Sequence, residues 1–390
     1  MPIYNRIAEL HDDMQAWRRD IHQHPELCFE EQRTAEVVAE KLRSWGIEVH
    51  EGIGITGLVG VLKGQGDSTR TIGIRADMDA LPMQELNEFS HKSKIDGKMH
   101  ACGHDGHTAI LLGAAKYLSE TRNFDGTIHF IFQPAEEGGG GGDAMVKDGL
   151  FKRFPCDGVY GLHNMPDKPY GTIHLRPGPL MASADMVEMT VHGKGGHAAH
   201  PQFAKDPIAI GVQLYTALQT IVARNVSAVD NAVVSVTMFE AGTAQNVIGH
   251  SAKLTASIRT MTAEIRDYIE DRVREICSGI ASAHGTTIDV DYQRGYPSTV
   301  NHEKETYIVA KAAAAIVGED KIDLNPPPRM GSEDFSFMLE ACPGAYLFLG
   351  TGDANHVHKV HHPEYDFNDE ALSIGASIWA QLVEQQMPRS

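Results

Sequence analysis

The apolar pattern of this chain changes period part-way along, and the altered block has few ways to fold. Val187, Met189 and Val191 alternate with polar residues, the period of a half-buried strand. Asp206-Pro207 then offers an N-cap and a first-turn proline, and Ile208, Val212, Tyr215, Leu218 and Val222 follow at helical spacing. Strand-like runs occupy 232–239 and 253–259, and a helix is predicted over 263–283 with Ile265, Tyr268, Ile269, Val273, Ile276 and Ile280 on one face. Ile288, Val290 and Tyr292 alternate as a last strand. The order β-α-β-β-α-β is that of a ferredoxin-like domain. We therefore expect an inserted domain at 184–293.

On either side the pattern is different. Ile7, Leu10, Met14, Trp17 and Ile21 mark an N-terminal helix. Apolar, β-rich runs at 56–62, 71–74, 127–132, 158–162 and 345–349 alternate with helix-like stretches such as 33–45 and 108–118. That alternation predicts an α/β fold, a central sheet layered with helices. A chain of 390 residues fits two domains at about 100–200 residues each. The first would be discontinuous, from 1–183 and 294–390.

Composition removes several function classes. Lys and Arg number 34 against 52 Asp and Glu, a net charge of −18, which disfavours a nucleic-acid partner. No apolar run approaches the ~18–20 residues that span a bilayer. The first twenty residues are too charged for a signal-peptide core. Cys28, Cys102, Cys156, Cys277 and Cys342 are scattered and odd in number, so reduced thiols and a cytoplasmic location are expected.

The densest chemical signal is Met99-His100-Ala101-Cys102-Gly103-His104-Asp105-Gly106-His107, which follows no structural period. Thiolate and imidazole are ligands for zinc and similar divalent ions. Gln133-Pro134-Ala135-Glu136-Glu137 follows a strand-like run, where ligands gather in open α/β sheets. One of these carboxylates would bind metal and its neighbour would act as general base. His163 closes another run, Asp77 and Asp79 a third, and His356, His358, His361 and His362 follow the last. Cys102, His104, Glu137, His163 and one tail histidine make five donors. One catalytic ion needs about three, so five fit two ions that polarise a carbonyl for hydrolysis. A Cys102–His104 nucleophile–base pair is the competing assignment. Residues 138–142 lack the Lys-Ser/Thr of a phosphate loop. Gly193-Lys194-Gly195-Gly196-His197 reads equally as a turn or as a site.

At these residues the chain resembles the hippurate hydrolase and N-acyl-amino-acid amidohydrolase branch of the aminoacylase-type metallopeptidases, which includes plant auxin-conjugate hydrolases. The ordered motifs are H-Q-H-P-E-L (22–27), I-R-A-D-M-D-A-L-P (74–82), M-H-A-C-G-H-D-G-H (99–107), Q-P-A-E-E-G (133–138), G-L-H-N-M-P (161–166), G-K-G-G-H (193–197), G-S-E-D-F-S (331–336) and H-H-P-E-Y-D-F-N-D (361–369). The resemblance implies a two-metal α/β/α catalytic domain with a mixed central sheet, and an inserted lid that packs against its copy in a homodimer. It implies Cys102, His104, Glu137, His163 and His361 as ligands, with Cys102 bridging as a thiolate, and Glu136 as general base. His361 is preferred to His362 because it stands two positions before Pro363. His197 would stabilise the oxyanion in the partner's active site, and Asn246 and Arg259 would contact substrate. Manganese, zinc, cobalt or nickel would serve as the two ions. The substrate implied is an N-acyl amino acid; a dipeptide or a single N-acetyl intermediate is the alternative. Gln202, where relatives often carry His, and Gly249, where they often carry Pro, depart from the pattern.

Overall fold

A computed structural model of the chain describes residues 4–389. It forms two compact units. The larger runs to Leu180 and takes up Val300–Pro327 and the chain from Asp334; the smaller comprises Met181–Thr299 and Pro328–Glu333. The smaller unit is thus wider than the 184–293 block and includes a segment well beyond it. Hydrogen bonds explain the difference: Ala182 N–H donates to Arg329 O (3.0 Å), Ser183 N–H to Thr260 O (2.7 Å) and Ala184 N–H to Tyr296 O (2.9 Å).

The larger unit is built on an eight-stranded mixed sheet in the order Glu48–Ile53, Gly57–Lys63, Thr127–Gln133, Thr71–Asp77, Gly158–Pro169, Gly344–Gly352, Ile173–His174, Ile322–Asp323. The third to sixth strands run parallel, and antiparallel neighbours flank them. Parallel strands need cover on both faces, which is why these read as near-continuous apolar runs. The helix His104–Thr121 is buried along most of its length and packs on the helices His11–Gln23 and Ala371–Gln386. Such close approach requires small residues: a Cβ on Gly106 would collide with the Phe367 ring, and one on Gly113 with Met14. The N-terminal apolar stripe is split between two helices, Asn5–Glu9 and His11–Gln23.

In the smaller unit four antiparallel strands lie in the order Ala232–Ala241, Ser251–Thr260, Asp185–His192, Ile288–Arg294. With the helices Pro207–Leu218 and Ala263–His284 this completes the ferredoxin-like order. Asp206 caps the first helix, its Oδ1 accepting from Ile208 N–H at 2.9 Å; Thr262 caps the second, accepting from Ile265 N–H at 3.3 Å. Only the far end of the expected stripe on the first helix, Leu218 and Val222, reaches the core. Ile210, Leu214 and Leu218 enter the core, whereas Ile208, Val212 and Tyr215 are exposed. Both stripes are apolar, so spacing alone does not choose between them.

Candidate active site

Three adjacent parallel strands deliver carboxylates and an imidazole to one end of the large sheet. Asp77 ends one strand, with Asp79 two residues on; Glu136 and Glu137 follow the strand ending at Gln133. His163 does not close its strand as expected. It lies inside Gly158–Pro169, because pairing with Gly344–Gly352 continues past it from Phe348↔His163. Cys102 and His104 stand at the start of the long buried helix. His361 comes from the loop after Gly352, with φ of 66°, held by its N–H donating to Ala101 O at 2.7 Å.

These groups converge. Cys102 Sγ lies 3.2 Å from His163 Nε2, and His361 Nε2 lies 3.1 Å from Glu137 Oε1. The donor atoms of Cys102, His104 and His163 lie within 4.8 Å of one another, as do those of Cys102, Glu137 and His361, and those of His104, Glu136 and Glu137. The remaining tail histidines turn elsewhere: His356 pairs with Asp353 at 2.9 Å, and His358 stacks on His362 with centroids 4.1 Å apart.

A buried polar scaffold fixes the donors. Asp79 accepts from the N–H groups of Glu136 (3.0 Å) and Glu137 (2.9 Å) and lies 3.2 Å from His104 Nδ1, so one carboxylate ties the acidic turn to the helix start. His104 Nδ1 also lies 2.9 Å from Asp79 O, which leaves Nε2 for the cluster. His163 Nδ1 donates to Asn164 O (2.7 Å), with the same result. His107 is not a donor here. Its Nδ1–H donates to Asp77 (2.6 Å) and its Nε2 accepts from Asn164 N–H (3.0 Å). Arg75 bridges Asp77 (2.7 Å), Gln133 (2.8 Å) and Asp334 (3.1 Å) beneath the site. Behind the helix start, His22 sits between Asp105 (2.8 Å) and Glu85 (3.3 Å). Glu31 accepts from Ala135 N–H (2.8 Å), supporting the positive φ of Ala135 before the Glu pair. Sequence reasoning assigned no role to Arg75, Glu31 or His22. They lie far along the chain from their partners, and no spacing signals such a contact.

The donor chemistry fits divalent cations. Among the described residues His104 Nε2 is buried without a hydrogen-bond partner, a costly state that a cation relieves. Burial, then the carboxylates of Glu137 and Glu136, push the Cys102 thiol well above its usual range. A cation reverses that, since a coordinating thiol is deprotonated outright. Burial lowers the pKa of His163 further, with the neighbouring His107 acting in the same direction, so it is neutral and ready to ligate. On His104 burial opposes charge, but Asp77 and Asp79 outweigh it and raise the pKa to about 10. A metal ion competes there with a proton.

The remaining candidates lie in the smaller unit. His197 and Asn246 line a cavity of about 540 Å³ together with Gly249. The short ladder Val247↔His197 joins their two loops, and His197 Nδ1 accepts from Ala199 N–H at 3.1 Å, leaving Nε2 open. Arg259 does not line this cavity. It pairs with Val233 in the sheet and donates to Ser257 Oγ (3.0 Å) and Ile258 O (2.9 Å).

A mixed α/β sheet with sulfur, imidazole and carboxylate donors at its strand ends, interrupted by a ferredoxin-like unit, defines a metal-dependent hydrolase of amide bonds. The chain belongs to the peptidase family M20/M25/M40, which matches residues 73–385. It is 44% identical to the hippurate hydrolase of Campylobacter jejuni over 382 residues, 98% of each chain. It is 39% identical to the N-acetylcysteine deacetylase of Bacillus subtilis over 368 residues, 94% of each. The structure of the Bacillus subtilis YXEP protein, a dinuclear metal binding peptidase of this family, superposes with a TM-score of 0.85 at 34% identity, covering 97% of this chain and 99% of that one.

Proposed function

We propose that this chain hydrolyses N-acyl amino acids of the hippurate kind, releasing a carboxylate and a free amino acid, with two divalent ions in the Cys102 cluster. The convergence of two donor triplets on one shared sulfur carries this reading: Cys102, His104 and His163 on one side, and Cys102, Glu137 and His361 on the other. Manganese, zinc, cobalt or nickel suits such mixed donors. Bound there, the ions supply Lewis acidity toward the acyl carbonyl and acidify water.

The chain's own groups do the rest. Glu136 is not needed in either triplet, and the turn held by Asp79 fixes its backbone. It takes a proton from the attacking water and returns it to the leaving amine. His197 donates from Nε2 to the developing oxyanion, contributed by a second copy of the chain. A homodimer is supported by the exposed Ile208, Val212 and Tyr215 stripe beside the edge strand Ala232–Ala241, which carries exposed Met238 and Phe239. Asn246, in the same cavity as His197, would hold the substrate. For Arg259 the role is substrate carboxylate binding, once its guanidinium leaves Ser257. Five unpaired cysteines suit a reducing, cytoplasmic setting.

The test is amino-acid release from hippurate and from N-acetyl, N-benzoyl and N-indoleacetyl amino acids, using chelated protein reloaded with Mn²⁺ or Zn²⁺. Metal-restored turnover is expected. Turnover that survives chelation would replace this mechanism with thiol chemistry at Cys102. Cleavage of dipeptides alone would replace the substrate class.

A further inference from the structure

A second cavity, of about 410 Å³, lies in the larger unit at the opposite end of the same strands. It opens where Thr71–Asp77 and Gly158–Pro169 begin and where the helix Glu303–Val317 starts. Seven residues of strand, about 20 Å, separate it from the carboxyl ends that carry the metal donors. Nothing in the proposed hydrolysis uses it.

Its lining is built rather than incidental. Tyr160 is 2% exposed and Glu305 is 7% exposed, and both face the cavity. Neither the Tyr160 hydroxyl nor the Glu305 carboxylate makes a hydrogen bond among the described residues; Glu305 has only the Lys304 ammonium, 3.9 Å away. Glu305 is the third residue of its helix, where a glutamate commonly bonds back to the cap. Here it makes no such bond. Their oxygens are turned to the cavity, so the partners they lack inside the protein are left for a molecule bound there. Arg70 also lines the cavity, tethered to Gln386 at 2.8 Å, with Nε a buried donor that has no partner among the described residues. Asp157 at the rim spends one oxygen on Thr71 N–H (2.8 Å) and keeps the other.

Two carboxylates and a hydroxyl thus share one cavity with a guanidinium and with the largely exposed Lys304 ammonium. We infer that this cavity binds a small zwitterion, an α-amino acid, with its ammonium on Glu305, Asp157 and Tyr160 and its carboxylate on Arg70 and Lys304. The volume is ample for one amino acid. This inference rests on the proposed hydrolysis in one respect: a free amino acid is what that reaction releases, so the site would sense product away from the catalytic end.

Calorimetric titration of the metal-loaded protein with glycine and L-phenylalanine tests it, with acetate and ethylamine as half-ligands. Expected is binding of at least one of the two amino acids with Kd of about 1 mM or tighter, and neither half-ligand matching it. Glu305→Gln and Lys304→Ala should each weaken that binding by roughly tenfold while initial hydrolysis rates stay unchanged. Tyr160→Phe, which removes one oxygen from the wall, should weaken it less. Unaltered amino-acid binding in both Glu305→Gln and Lys304→Ala would overturn the site, and so would the absence of any binding. Acetate or ethylamine binding as tightly as the amino acid would overturn the zwitterion assignment. Because binding is read directly, its loss with hydrolysis intact refutes only this site. Silent hydrolysis with binding intact refutes only the proposed function.

Discussion

The two units hold their candidate residues in opposite ways. In the larger unit Asp77, Asp79 and His104 are at most 1% exposed and each is locked by a partner from another part of the chain, with His361, half exposed on its loop, the exception. In the smaller unit His197, Asn246 and Gln202 are exposed on short loops, held by little more than a two-residue ladder. Metal chemistry tolerates small positional error, and a buried polar network supplies that order. Substrate choice needs the reverse. Exposed loops can change residues such as Gln202 and Gly249 without disturbing a core. The contrast predicts that metal binding and proton transfer are properties of the larger unit, and oxyanion stabilisation and acyl preference properties of the smaller.

The largest expected effect tests the first half of that division. Glu136→Gln should lose about 10²–10⁴ in kcat while elemental analysis still finds the metals. An active variant would remove Glu136 from the chemistry. Next, His197→Ala should lower kcat by about 10²–10³ with metal content unchanged. A loss of metal instead would mean the two units do not divide the work as stated.

His22 sharpens the picture of the buried network. Burial opposes its charge, but Asp105 and Glu85 outweigh burial and lift its pKa to about 9. A raised imidazole stabilises the fold fully below about pH 6.5, and that contribution fades as pH rises through 9, by on the order of 3 kcal/mol. Denaturant titrations of chelated protein should show this decline. In His22→Gln stability should start lower and stay flatter across the window; an identical slope would assign the decline elsewhere. The smallest effect is expected at Asp79→Asn, which should weaken metal affinity by about 10–100-fold without unfolding the protein. Full affinity would show that the turn carrying Glu136 and Glu137 needs no anchor.

The sheet, the ferredoxin-like order and the donor types were legible because each rests on a local pattern: alternation in Val187–Met189–Val191, a cap at Asp206, dense histidines around Cys102. Choosing His361 among four tail histidines was not a matter of local pattern. Only the resemblance singled it out, and the structure places it beside Glu137 through a bond to Ala101, some 260 residues away along the chain. Arg75, Glu31 and His22 were invisible for the same reason. The Ile208 stripe misled because a helix with apolar residues on both sides offers no inside from spacing alone. The segment 328–333 joins the smaller unit through backbone bonds, which leave no mark on side-chain pattern.

The proposed donors are drawn from Cys102 to His361, and the last of them is followed by the helix Ala371–Gln386, which packs on the helix opened by His104. During synthesis the first four donors therefore emerge from the ribosome long before the fifth. The closing helix cannot dock until nearly the whole chain has been made. At about 5–20 residues per second, some ten seconds or more separate Cys102 from His361. Over that interval a thiol, two imidazoles and a carboxylate form an incomplete set of four. The full donor set proposed for the two ions therefore exists only in the finished chain.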